Sequence, residues 1–151
     1  MLLILEMSNL KSALFYVGLV ALIATLSFGC KKERSAKATT SAVVNVMTTG
    51  TWTITLMSDS GIDQTNDFVG YSFVFNTNGE LTAARASGTT VGSWYAEIDD
   101  HGENEFRIAL GYVYPLNMIC KRWHVLSSSP DKLELHENQS MHQKYLTFKK
   151  L

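Results

Sequence analysis

Thr51-Trp52-Thr53-Ile54-Thr55-Leu56-Met57 and Val69-Gly70-Tyr71-Ser72-Phe73-Val74-Phe75-Asn76-Thr77-Asn78-Gly79 decide the fold of this chain. Apolar and polar residues alternate in both. The first run puts Trp52, Ile54 and Leu56 on one face, and the second Tyr71, Phe73 and Phe75. A period of two belongs to a strand with one buried face. Asn-Gly tolerates the positive φ of a tight hairpin, so Asn76–Gly79 is predicted to turn.

Working outward, Leu81 to Ala86 returns, Ser87-Gly88 turns again, and Thr90 to Ile98 forms the next strand. Beyond the polar loop Asp99–Asn104, alternation places Phe106, Ile108, Leu110 and Tyr112 on one face of a fifth strand. A helical turn is predicted around Pro115 (114–119). Lys121 to Leu126, Lys132 to His136 and Lys144 to Lys149 supply three more strands, with Ser127–Asp131 turning between the first two. The fold class is all-β, an antiparallel meander of about eight strands. A small closed barrel is the first reading and a two-sheet β-sandwich the alternative. Alternation in place of solid apolar runs excludes a parallel α/β sheet. Residues 50–151 suit one domain.

Upstream, Ala13 to Cys30 carries no charge and Lys11 precedes it, as in a signal peptide with a positive n-region and an apolar h-region. Gly29-Cys30-Lys31-Lys32 ends it as a bacterial lipoprotein signal ends, with a small residue before the lipid-carrying cysteine. In the strict motif a Leu lies three residues before that cysteine. Here Ser27 holds the position and Leu26 lies one further back. The expectation is a signal peptide over 1–29, with Met7 a better start than Met1 because Glu6 weakens the positive end. Cys30 is then expected to carry a diacylglyceryl thioether and an acyl chain. A single chain holds a protein only marginally, so stable anchoring needs more than one. Residues 30–49 read as a flexible tether, since the basic, Ser/Thr/Ala-rich first half buries too little apolar area to repay its ordering. Ala42–Met47 fits a short strand or a lead-in to the domain. Lys31, Lys32 and Arg34 around a lone Glu33 lean toward the periplasmic face of the outer membrane, rather than the cell surface.

Gly50-Thr51-Trp52, the Phe68–Phe75 run with its Asn-Gly turn, Gly92-Ser93-Trp94 and Trp123-His124-Val125 together resemble the lipocalin-like lipoproteins of the Bacteroidota, over residues 50–151. The closing Tyr145–Lys150 resembles their last strand. The resemblance implies an eight-stranded barrel with a ligand cup, in which Gly-x-Trp marks the first strand and a late-strand Arg covers the Trp. Here the late strands hold Lys132, Lys144, Lys149 and Lys150 and no Arg. The implied function is binding of a small apolar or amphipathic molecule in the cell envelope, without catalysis. A β-rich interaction module for an envelope protein or a glycan is the alternative.

Trp52, Trp94 and Trp123, with Tyr71, Phe73 and Phe106, either line a cavity or fill the barrel, because eight strands leave room for packed side chains or one small ligand. Arg85 shares a face with Leu81 and Ala83, so it points inward to an acidic ligand or sits at the sheet edge in solvent. Asp59–Asp67 is rich in oxygen ligands but lacks EF-hand spacing, which favours Asx-turn capping over Ca²⁺. Asp99–Glu103 reads as a solvated hairpin tip. His101, His124, His136 and His142 show no metal-ligand spacing, although His136 and His142 flank a turn. No nucleophile motif or cofactor-binding loop is present, so no catalytic residue, metal site or cofactor beyond the lipid is expected. Cys120 is left without a partner once Cys30 carries lipid, and its apolar neighbour Ile119 favours a buried thiol.

Charge is uneven. Residues 50–120 hold nine acids and two bases, whereas 121–151 hold three acids and six bases. Neighbouring strands of a closed barrel bring such halves together. The bases form no cluster interleaved with aromatics, which argues against nucleic acid as a partner.

Overall fold

A computed structural model describes residues 40–139 and 142–151. The expected signal peptide, Cys30 and the expected tether up to residue 39 lie outside the described residues. The elements are α1 (Thr40–Met47), β1 (Trp52–Asp59), β2 (Ile62–Asp63), β3 (Ser72–Phe75), β4 (Glu80–Arg85), β5 (Gly88–Ile98), β6 (Asn104–Ala109), β7 (Arg122–Ser129), β8 (Lys132–Gln139) and β9 (His142–Lys150). Short 3-10 turns cover Thr65–Phe68 and Leu116–Met118, the second where a helical turn was expected.

The strands form an antiparallel meander, β1-β3-β4-β5-β6-β7-β8-β9. It closes through β1–β9, where Trp52 opposes Lys150 and Asp59 opposes Lys144. This is an eight-stranded barrel, not a sandwich, and closure pairs the first and last strands of the meander. β2 is an extra strand folded back on β1 through Ser60 and Gly61, at φ 53° and 82°. Two successive positive φ values are those of a two-residue type I′ hairpin.

Alternation sets the interior. Tyr71, Phe73 and Phe75 are buried, as are Leu81, Phe106, Ile108, Leu133 and Leu135. Two inward assignments fail for local reasons. A β-bulge between Ile54 and Leu56 shifts β1 by one residue, so Met57 enters the core and Leu56 stays exposed. β6 ends at Ala109 and Gly111 turns the chain at φ 85°, so Leu110 is buried but Tyr112 is 97% exposed.

Residues 40–49, expected to continue the tether, instead join the compact unit that holds the barrel. Residues 40–47 form neither strand nor free chain but the helix α1. Its Val43 and Met47 are fully buried, and the Trp52 Nε1–H donates to the Met47 carbonyl at 3.0 Å. Thr40 Oγ1 donates to Asn104 Oδ1 at 2.9 Å, placing the helix at the end of the barrel where β1 and β6 begin. At the opposite end the two 3-10 turns carry Phe68 and Leu116 into the same core, and Ile119 follows. No helix among the described residues is long and apolar enough to cross a membrane.

Candidate functional site

The expected ligand-binding aromatics do converge, but on one another. Phe75 is the hub: its ring centroid lies 5.4 Å from Trp94, 5.7 Å from Phe106 and 5.4 Å from Phe148. Trp94 and Phe106 are 5.4 Å apart, and Phe73 meets Phe148 at 5.4 Å. These separations are those of rings in van der Waals contact, edge-on or tilted. Trp52 and Trp123 are fully buried, with each indole N–H satisfied by a carbonyl, of Met47 and Ile119 respectively. Trp94 donates likewise to the Asn76 carbonyl. The aromatic interior therefore packs against itself.

Arg85 lies at the rim, exposed, in the solvent position that the sequence left open. Its guanidinium sits 4.9 Å over the Tyr71 ring and Nε donates to Ser87 Oγ at 2.7 Å.

Concave polar sites are found on the outside. One depression of about 400 Å³ lies where β6 meets β7 and is lined by Arg107, Lys121, Arg122, Tyr112 and Cys120. Arg107 and Arg122 face each other directly in the β6–β7 register, and no acidic residue is in the lining. Like charges placed directly opposite destabilise a sheet. Arg107 relieves part of this by bonding the Tyr95 hydroxyl at 3.1 Å, and Lys121 by pairing with Glu137 at 2.8 Å. The Cys120 thiol donates to the Leu116 carbonyl and accepts from the Leu110 N–H, and burial pushes its pKa up. It is only half-buried, less than the sequence suggested, and a raised pKa disfavours a reactive thiolate.

A second depression, of about 490 Å³, is lined by Asp59, Ser60, Gln64, Lys121, Glu137, His142 and Lys144. Asp59 and Lys144 are ion-paired, which lowers the pKa of Asp59 and raises that of Lys144. Ser60 Oγ lies 3.0 Å from His142 Nδ1 and 3.0 Å from Asp59 Oδ1, a contact that invites comparison with a nucleophile and base. The Ser60 N–H is committed to the Gln143 carbonyl at 2.9 Å and is not free to stabilise an oxyanion. In the neighbouring turn Asp63 Oδ1 accepts the Thr65 N–H at 2.9 Å, the Asx-turn role expected of this segment.

The histidines pair differently from their order in sequence. His136 opposes His124 across β7–β8, with ring centroids 5.4 Å apart, whereas His142 opposes Gln139. Asp99 and Glu103, at the β5–β6 hairpin tip, approach His124. No linear spacing signals this group.

No protein-family model matches the chain, and no curated protein matches it. Among solved structures, the chain is similar to a DUF4847 family protein from Bacteroides vulgatus ATCC 8482 at a TM-score of 0.45 and 14% identity, over 71% of this chain and 96% of that one.

Proposed function

We propose that this protein is a lipid-anchored, non-enzymatic module of the bacterial cell envelope, whose lipocalin-like barrel binds through its outer surface. The anchor is Cys30, acylated after removal of residues 1–29, and the basic residues following it favour the periplasmic face of the outer membrane. The observation that carries the reading is the contact of Phe75 with Trp94, Phe106 and Phe148, which fills the barrel interior with side chains. The surface we assign is the basic depression of Arg107, Lys121 and Arg122, where an acidic protein segment or acidic glycan relieves the facing arginines. Support for the lipocalin-like part is the meander closed by first and last strands, with a cation over the Trp of Gly50-Thr51-Trp52: Lys150 Nζ lies 5.3 Å over the Trp52 ring.

Native mass spectrometry of protein extracted from its own membranes tests the reading. The expected mass is that of the chain from Cys30 plus its covalent lipid, with no further small molecule. A stoichiometric apolar ligand released on unfolding would overturn it and restore the cup reading. Loss of fatty-acid label in Cys30→Ala is expected, and unchanged label would refute the anchor.

A further inference from the structure

We propose that Asp99, Glu103, His124 and His136 form a binding site for a borderline divalent cation such as Zn²⁺ on the outer face of the barrel. This site is separate from the basic depression and does not depend on it.

The first ground is convergence of donors. One ligand atom each from Asp99, Glu103 and His124 lies within 4.8 Å of the others. His124 Nδ1 and Glu103 Oε2 are 3.6 Å apart. That is too long for a good hydrogen bond, yet close to the edge of about 3.3 Å in a tetrahedral shell with bonds of about 2.0 Å. His136 lies outside that 4.8 Å group, but it is the cross-strand partner of His124, and we assign it the fourth position. Two imidazoles on one tetrahedral ion have centroids about 5 Å apart, and those of His124 and His136 are 5.4 Å apart.

A second, independent ground is an unmet bonding need. His124 Nδ1 is shielded from water and has no hydrogen-bond partner. An unsatisfied buried polar atom costs free energy, and a cation accepting the nitrogen lone pair removes that cost.

The surroundings position the ligands and set the charge. Asp99 Oδ1 accepts the His101 N–H at 2.9 Å and the Glu103 N–H at 2.7 Å. These bonds fix the carboxylate. Glu105 opposes His124 in the β6–β7 register and adds a third acidic group to the row. Two imidazoles with carboxylates select Zn²⁺ or a similar ion over Mg²⁺ or Ca²⁺, which prefer oxygen alone.

Titration of the detergent-solubilised full chain with Zn²⁺ by calorimetry, and with Co²⁺ by visible absorption, tests the site. One equivalent is expected, reversed by EDTA, with the visible spectrum of tetrahedral Co²⁺. His124→Ala and His136→Ala are each expected to weaken binding by at least about 10-fold. Glu103→Gln, at an exposed hairpin tip where folding is not at stake, is expected to do the same. His142→Ala is expected to leave affinity unchanged. Absence of saturable binding, or wild-type affinity in His124→Ala or Glu103→Gln, would overturn the proposal, as would loss of binding in His142→Ala.

Discussion

Lys150 lies across Trp52: its Nζ is 5.3 Å from the centre of the ring, and its stem runs beside Gly50. A Cβ on residue 50 would stand 3.2 Å from Lys150 Cε, and Gly50 itself is at φ 86°. The three residues thus form one device. Gly50 turns the chain and leaves room for the lysine stem, while Trp52 presents its face to the ammonium.

Replacing Lys150 by Ala should lower stability by about 0.5–2 kcal/mol, the range of a cation–π contact from exposed to desolvated. Lys150→Arg should retain most of it, since guanidinium stacks on an aromatic face. Chemical denaturation of the two variants checks this. Equal midpoints for Lys150→Ala and wild type would remove the contact from the account.

The helix α1 should belong to the folding unit. A protein beginning at Gly50 loses Val43 and Met47 from the core and leaves the Trp52 indole N–H without its carbonyl. It should unfold at a clearly lower temperature than one beginning at Lys37. Within the longer protein, Met47→Ala should cost about 2–5 kcal/mol. A thermal midpoint unaffected by the truncation would return residues 40–49 to the tether.

These results define what was legible in the sequence. Alternation in Tyr71–Phe75 and Phe106–Ile108 gave inward and outward faces directly, because a period of two survives wherever pairing is regular. It misassigned Leu56 and Met57 because a bulge inserts one residue without any mark in composition. A bulge also decides the histidine pairing. Ser129 opposes Lys132, so an unbroken β7–β8 hairpin would set His124 opposite Glu137, and the irregularity between Val125 and Ser127 brings His136 there instead. α1 was hidden because its two β-branched core-facing neighbours, Val43 and Val44, read as strand. Tertiary burial overrides that propensity.

Gly92 should tolerate no side chain. A Cβ there would fall 2.0 Å from the Ala109 carbonyl oxygen, which is backbone and cannot rotate away. Gly92→Ala should part β5 from β6 and destabilise by on the order of 3 kcal/mol. Hydrogen exchange should show the Tyr95 and Arg107 amides, which oppose each other across β5–β6, losing protection first. Wild-type stability in this variant would contradict the close approach of the two strands.

Stability should fall as pH drops through the imidazole range. The folded-state pKa of His136 is lowered from 6.5, chiefly by burial and next by the charge of His124. The unfolded chain therefore binds the proton first, so stability is full above the ordinary histidine pKa and is lost as pH falls through the folded value. His136→Gln should flatten the thermal midpoint between about pH 7 and pH 5, the range in which unperturbed histidine titrates. An unchanged slope would assign the effect elsewhere.

Phe75→Ala should open a void among Trp94, Phe106 and Phe148, at a cost of about 3–5 kcal/mol. An apolar cavity of that kind stays dry and admits small apolar solutes. Benzene should raise the thermal midpoint of the variant and leave wild type unmoved.

The filled interior is tested most directly by xenon pressure on crystals of the protein. Xenon occupies apolar cavities that water leaves empty. No xenon is expected among Phe75, Trp94, Phe106 and Phe148 in wild type, and an ordered site is expected there in Phe75→Ala. An ordered xenon inside the wild-type barrel would contradict the filled interior.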